Sequence, residues 1–402
     1  MTESTPLLKR ARDEEENLEY EEYEDFEMSP RVKYSLLTLG ILSSLAVLYF
    51  FTVFLPGYFI PESTDLVDII KVSDSNVQLI PLKPIKKTGF ELFAYEDNQL
   101  KGEEMELSFP EDFSYEYNSN NKEHKRKVER LILIGDIHGH YIQFRHLLRK
   151  LNYNAKKDHI IVLGDFVSKG PDSIKVLDYL MKNKIDCILG NHEYYVLQNY
   201  ASFHGKQFPD FVNGSAHSDG LSIEGFNDDP EFLLAKKLQA DHIKYINSCP
   251  IIKKIGEVPI YRKKDSNDIL NGGVSTKSTR KGVVVHGGLR WDLSLYEQQP
   301  VDNLEMRSLI GPYFNQSTDD PHEPNAVSWS KIWNKQQKLL KSDESLVVYY
   351  GHDARRGLNL KNYARGLDTG CDRGDLLSAM VLWNELQDGV VIHKEKAVQV
   401  HC

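Results

Sequence analysis

Five short motifs in this chain set a carboxylate, a carboxamide or an imidazole beside a glycine: Gly135-Asp-Ile-His-Gly139, Gly164-Asp-Phe-Val-Ser-Lys-Gly-Pro171, Gly190-Asn-His-Glu193, His286-Gly-Gly288 and Gly351-His-Asp353. Such a mixture of oxygen and imidazole donors suits divalent cations. Two cations ~3.5–4 Å apart can share one carboxylate and one water, acidify that water and clamp a phosphoryl group. Taken alone, each motif fits a satisfied polar side chain or a helix cap. Together, with Asp136 and Asp165 29 residues apart and Asp165 and Asn191 26 apart, they point to one metal centre.

Positioning these groups takes strands that stop just before them. Apolar runs at 130–134, 159–163 and 185–189 lead into Gly135-Asp136, Gly164-Asp165 and Gly190-Asn191, with a helix-like stretch over 172–184. Buried strands carrying functional residues at their C-terminal ends are how open α/β sheets build sites. The runs at 282–285, 346–350 and 377–383 read as strands of a second sheet, and 230–248 as one amphipathic helix. Residues 263–281, rich in Ser, Asn, Gly and Lys, read as a surface loop. Before this region, 59–127 reads as a stalk with a strand or two around 77–82, and 128–402 as the catalytic domain. No internal repeat is visible.

The formal charge of −10 is uneven. Residues 1–33 hold eleven acidic and five basic residues, a net of −6, leaving −4 elsewhere. That excludes the global basic field of a nucleic-acid binder. The acidic tail, poor in apolar residues, is expected to be disordered. No charge occurs from Tyr34 to Pro61, and 34–58 is long enough to span a ~30 Å hydrocarbon core as a signal-anchor helix. Arg31 and Lys33 before it place the tail in the cytosol and the catalytic part in a lumen. Two sequons, at Asn213 and Asn315, agree with that orientation. Residues Glu3 to Leu8 look like an acidic dileucine signal, read by a sorting adaptor that delivers cargo to vacuoles or lysosomes. Four cysteines are too few and scattered for a disulfide framework. Cys187 and Cys371 could bridge in an oxidising lumen, and buried free thiols fit equally.

In their order, the five motifs resemble the calcineurin-like metallophosphatases, within the serine/threonine phosphatase and diadenosine tetraphosphate hydrolase branch, over about 128–391. The resemblance implies an α/β sandwich of two mixed sheets flanked by helices, here preceded by one transmembrane helix. It places Asp136 and His138 on a first metal, Asp165 between two, and Asn191, His286 and His352 on the second. His192 becomes the general acid for the leaving oxygen. Lys169, Arg290, Arg355 and Arg356 become contacts to substrate phosphates. Trp291 lines the cleft or packs beneath it.

Protein phosphatases have Asp-Arg where this chain has Ser168-Lys169. Ser168 cannot give His192 a charged partner, and Lys169 lacks a bidentate fork. Both departures favour phosphoanhydrides, whose phosphate leaving group needs little protonation. Gly170-Pro171-Asp-Ser-Ile, the stretch 351–360 and Gly366-Leu-Asp-Thr-Gly-Cys371 are similar to the tetraphosphate hydrolases, and closer still to the zinc-dependent endopolyphosphatases of fungal vacuoles. The expectation is therefore a hydrolase in the vacuolar or lysosome-like membrane. In it a hydroxide between two metals, Zn before Mn, Co or Fe, attacks inside a polyphosphate chain. Lys253, Lys254, Arg262, Lys263, Lys264, Lys277, Arg280 and Lys281 could attract the polyanion. Dinucleoside polyphosphate or nucleotide hydrolysis and phosphoprotein phosphatase activity are the alternatives. A metal-free receptor on this scaffold is disfavoured, because all six ligand positions and His192 hold competent residues.

Overall fold

The computed structural model describes residues 28–55, 60–83, 125–212, 230–261, 268–320 and 322–402. The sorting motif, the tail as far as residue 27, most of the stalk, Asn213, Arg262, Lys263 and Lys264 lie outside the described residues. The chain divides into two units, Met1–Ile60 and Pro61–Cys402.

In the first unit helix α1, Pro30–Tyr49, continues into a π-helical turn, Phe50–Phe54. It starts four residues before the expected span because Pro30 suits the first helical position, where no N–H is needed. Within the 25 residues Pro30–Phe54 an 18-residue window reaches a mean hydropathy of 2.1, enough in length and composition to cross a membrane. Thr38 and Thr52 turn their hydroxyls back to the carbonyls of Tyr34 and Leu48, both at 2.7 Å.

The second unit carries two mixed sheets. In chain order its main elements are β1 Val72–Asp74, β2 Pro81–Leu82, β3 Arg130–Ile134, α2 Tyr141–Lys150, β4 Asp158–Val162, α3 Ser173–Lys182, β5 Asp186–Cys187, α4 Asn191–His204, α5 Pro230–Ala235, α6 Ala240–Asn247, β6 Ile252–Pro259, β7 Val274–Thr276, β8 Thr279–Val285, β9 Leu346–Tyr350, β10 Asn359–Lys361, β11 Ala364–Gly366, β12 Leu376–Gln387 and β13 Val390–His401. One sheet runs β7-β13-β12-β3-β4-β5, with β2 beside β12; the other runs β10-β11-β9-β8-β6-β1. β3, β4 and β5 are mutually parallel, as are β8, β9 and β11. Their C-terminal ends therefore deliver residues from both sheets. Buried Glu395 on β13 joins the sheets, accepting from Arg365 on β11 at 3.0 Å and Tyr349 on β9 at 3.1 Å.

β3 and β4 are buried along their whole length, as strands covered on both faces must be. Arg130 of β3 pairs with Asp158 of β4 at 2.6 Å at the strand starts, away from the motif ends. Four expectations change. The run at 377–383 belongs to the first sheet, with Ala379 opposite Ile134. A two-residue turn at Asp388-Gly389, with φ of 50° and 78°, folds it back on β13 as a long hairpin. The single helix over 230–248 is two helices, the second capped by the Gln239 N–H on His242 Nδ1 at 3.1 Å. The loop at 263–281 contains a short helix, Asp268–Asn271, and β7 on the sheet edge. Part of the expected stalk joins the body: β1 pairs with β6, β2 with β12, Ile69–Ile70 with Phe211–Val212 and Val77–Leu79 with Arg126–Val128.

All four cysteines are paired, Cys187 with Cys249 and Cys371 with Cys402. The expected alternatives, free thiols or a Cys187–Cys371 bridge, both give way. The fold brings the end of β5 to the end of α6, and the C-terminus to the loop after β11.

Candidate metal centre

Each motif follows a strand: Asp136 and His138 after β3, Asp165 after β4, Asn191 and His192 after β5, His286 after β8, His352 after β9. The turns are tight enough to force left-handed backbone on residues with side chains, with φ of 46° at His138, 48° at Asp165, 58° at Lys169 and 66° at His352. Such conformations cost energy and concentrate at functional sites. Glycine is required where these turns meet. A Cβ on Gly190 would run into Asp165, and one on Gly351 into the Asp136 carboxylate.

Two groups of side chains could each hold a cation: His138, Asp165 and His192, and Asp165, His286 and His352, with donor atoms within 4.8 Å of one another in each. Asp165 belongs to both. Asp136, expected beside His138, lies next to them, its carboxylate accepting the His352 N–H at 3.0 Å.

The ring nitrogens show how well this set fits a metal. His286 Nδ1 faces the Leu163 carbonyl at 2.8 Å, His352 Nε2 the Glu305 carbonyl at 2.9 Å, and His138 Nδ1 the Val167 carbonyl at 3.3 Å. A neutral imidazole that donates to a carbonyl leaves a lone pair on its other nitrogen, the arrangement of metal-ligating histidines. Those other nitrogens face the cluster. Into it also points the Asn191 carboxamide, one of whose two end atoms lies 3.0 Å from His286 Nε2, 3.2 Å from His352 Nδ1, and 3.3 and 3.2 Å from Asp165 Oδ1 and Oδ2. Turned one way, this carboxamide donates its NH₂ to those acceptors; turned the other, it offers its oxygen to a cation that the same carboxylate and ring nitrogens would also hold.

The electrostatics agree. Burial, then the charges of Asp368 and Asp165, push Asp136 well above the usual carboxylate range. Burial likewise lifts Asp368 to about 6. Burial would also raise Asp165, but His286, His192 and His138 outweigh it and hold Asp165 well below its ordinary value. Burial lowers His138 to about 4 and drives His352 well below the usual imidazole range. Burial and like charge thus disfavour the ionised forms of Asp136 and Asp368. A divalent cation can offset this.

Around the ligands the sequence expectations divide. Lys169 reaches the centre, with Nζ 3.1 Å from His138 Nε2 and 3.2 Å from Asp372. Arg290 is paired with Asp292 at 2.5 Å, and Trp291 packs by donating to the Phe314 carbonyl at 2.7 Å. Arg356 pairs with Asp353. With Arg355, Thr369, Gln399 and His401 it lines a cleft of about 1030 Å³ whose walls include none of the candidate ligands. The proposed basic field changes too. Lys253 is turned onto Asp186 at 2.7 Å. Lys281 lies near the start of β8, five residues or ~16 Å of strand before His286.

Several neighbours carried no clear sequence signal. Arg307 donates to the His352 carbonyl at 3.2 Å. Asp368 and Asp372 come from the loop after β11, inside a stretch read only for its resemblance. Glu231, from α5, stands 2.5 Å from His192 Nδ1 and also accepts from the Ser168 hydroxyl. His192 therefore has the charged partner that Ser168 could not give. Of the two departures taken to favour phosphoanhydrides, Lys169 alone keeps its force.

The chain matches the family described as calcineurin-like phosphoesterase over residues 129–364. Among curated proteins it is 28% identical over 291 residues to the zinc-dependent endopolyphosphatase of Saccharomyces cerevisiae, covering 67% of this chain and 80% of that protein. It is 51% identical over 71 residues to the symmetrical bis(5'-nucleosyl)-tetraphosphatase of Wigglesworthia glossinidia brevipalpis, covering 17% of this chain and 26% of that protein. A solved structure of a candidate diadenosine tetraphosphatase aligns with 68% of this chain and 94% of its own, at 25% identity and a TM-score of 0.47.

Proposed function

The chain belongs to the calcineurin-like phosphoesterases, metal-dependent hydrolases, and on that premise we propose that it is a membrane-anchored endopolyphosphatase cutting internal phosphoanhydride bonds of inorganic polyphosphate. The observation carrying this reading is the yeast relative named for that activity and aligned over 80% of its length. Two divalent cations, zinc by that relative's name, would acidify a water and neutralise phosphoryl oxygens when bound. Asp165 would bridge them, with Asp136 and His138 on one and Asn191, His286 and His352 on the other. His192 presents Nε2 3.8 Å from Asp165 Oδ2 and hands a proton to the leaving oxygen. Lys169 offers a point charge to the phosphoryl group beside His138. The cleft holding Arg355 and Arg356 takes successive phosphates of the chain.

Location follows from the same reading. Pro30–Phe54 crosses the membrane with Arg31 and Lys33 on the cytosolic side. Pro61–Cys402 then lies in a vacuolar or lysosome-like lumen, where two disulfides persist and exposed Asn315, with Asn213, accepts glycans. Glu3 to Leu8 would meet the sorting adaptor.

The test is cleavage by the detergent-solubilised full chain of long polyphosphate, diadenosine tetraphosphate and a phosphopeptide, with Zn or Mn. A ladder of intermediate polyphosphate lengths is expected. Intact polyphosphate beside cleaved diadenosine tetraphosphate would transfer the assignment to the second reading, which the 71-residue match supports.

A further inference from the structure

Among the four imidazoles of the cluster, His192 is the one whose outward nitrogen meets a carboxylate rather than a backbone carbonyl. Glu231 Oε1 lies 2.5 Å from His192 Nδ1, and Glu231 is 4% exposed. The Ser168 hydroxyl donates to the same oxygen and helps to hold the carboxylate. Glu231 rides on α5, which lies against α4, the helix that begins at Asn191. Phe232 of α5 meets Phe203 of α4 edge-on at 6.2 Å, and Lys236 Nζ caps the Phe232 ring at 3.9 Å. A side chain 39 residues beyond His192 is thus brought to it by helix packing rather than by the strand-end loops.

We propose that Glu231 is the positioning residue for His192, holding Nδ1–H so that Nε2 faces the leaving oxygen, and that it equips the site to expel alkoxide and phenoxide as well as phosphate. The inference rests on phosphoester hydrolysis by this family and not on polyphosphate as substrate. In the step, the oxygen of a hydroxide bonds to phosphorus while the P–O bond to the leaving group breaks and its electron pair goes to the leaving oxygen. The Nε2 proton of the imidazolium moves to the same oxygen. The imidazole left behind keeps its proton on Nδ1, already bonded to Glu231, so neither the ring nor the carboxylate must turn. A poor leaving group needs that proton; a good one departs with little help.

The experiment uses the metal-loaded full chain in detergent and a series of phosphate monoesters, from 4-nitrophenyl through phenyl to an alkyl phosphate. Glu231→Gln keeps the shape and removes the charge. The expected loss in kcat is less than about 10-fold for 4-nitrophenyl phosphate and more than about 100-fold for the alkyl ester, the scale of general acid catalysis. KM and bound metal should stay as in the parent. In a His192→Gln background the same substitution should change nothing further. An equal loss for every leaving group, or a full further loss without His192, overturns the assignment. A polyphosphate ladder from the unaltered chain upholds the proposed function whatever Glu231→Gln does, so the two ideas fail separately.

Discussion

Glu193 accepts the backbone N–H of Asp165 at 2.6 Å, and the same carboxylate takes the N–H groups of Phe166 at 2.8 Å, Val167 at 3.0 Å and Gly190 at 3.1 Å. One fully buried side chain fastens the loop after β4 to the start of α4, and so sets Asp165 against Asn191. Burial, then the charge of Asp165, raises Glu193 to about 7, and backbone donors work against that rise.

Replacing Glu193 by Gln should loosen this joint. The amide offers one oxygen and turns an NH₂ toward a backbone N–H, leaving donors without acceptors. A stability loss of roughly 1–3 kcal/mol is expected, with metal affinity down about 10- to 100-fold, as for other supports of a ligand shell. Thermal melts with and without chelator and a metal titration measure the two effects. Unchanged affinity would reduce Glu193 to a packing role.

Asp165 stands in both candidate ligand groups, whereas His352 stands in one. Asp165→Asn should therefore lose both cations and fall to background hydrolysis, while His352→Asn should retain part of its metal. Metal per chain after dialysis, by mass spectrometry, separates them. Equal metal loss in the two variants would argue against a bridging carboxylate.

The candidate ligand set is readable in the sequence because its chemistry is local. A strand end, a glycine and a donor lie within five residues, so Asp136, Asp165, Asn191, His286 and His352 could be found without any three-dimensional information. What escaped depends on distant segments meeting. Nothing near Glu231 marks it as the partner of His192, and only the missing carboxylate at Ser168 poses the question. The run at 377–383 reads correctly as a strand. Its sheet is decided by the Asp388-Gly389 turn and by pairing with β3, where Met380 faces Leu133, 247 residues earlier in the chain. The cysteine pairs follow from the same closures. Charge misled: Lys253 and Lys281 count toward a basic field in the sequence, yet one is spent on Asp186 and the other lies near the wrong end of its strand.

The Cys371–Cys402 bridge ties the chain's last residue to the loop bearing Asp368 and Asp372, and Asp372 holds Lys169 at 3.2 Å. Its 31-residue separation corresponds to about 3–4 kcal/mol in the chain-entropy picture. A Cys371→Ser, Cys402→Ser double variant should lose about that much unfolding free energy in a denaturant titration. Its KM should rise through Lys169 more than its metal content falls. Loss of both in parallel would mean that the bridge supports the whole centre.

Polyphosphate cleavage should weaken with salt, because a polyanion meets an exposed, screened charge at Arg355. Arg355→Ala is expected to raise KM several-fold below about 0.05 M salt and little near 0.5 M, with kcat held. Initial rates against chain length and ionic strength provide the check. A salt-independent KM would point to a small substrate and remove the cleft from the argument.

Asp186 receives Lys253 at 2.7 Å and His159 at 3.1 Å, joining β5 to β4 and to β6 of the other sheet. Burial would raise its pKa, but the His159 hydrogen bond and the Lys253 charge outweigh burial and hold it far below the usual carboxylate range. A depressed folded pKa gives stability that is complete above the unfolded value near 4 and fades as pH falls below it. Asp186→Asn should thus unfold more easily than the parent by a similar margin at about pH 7 and pH 5, and the margin should shrink by about pH 3. Urea titrations at the three values decide it. A margin equal at all three would be steric in origin. A margin already gone at pH 5 would mean the pair cannot serve in the acidic lumen proposed for this unit, where it must still be charged.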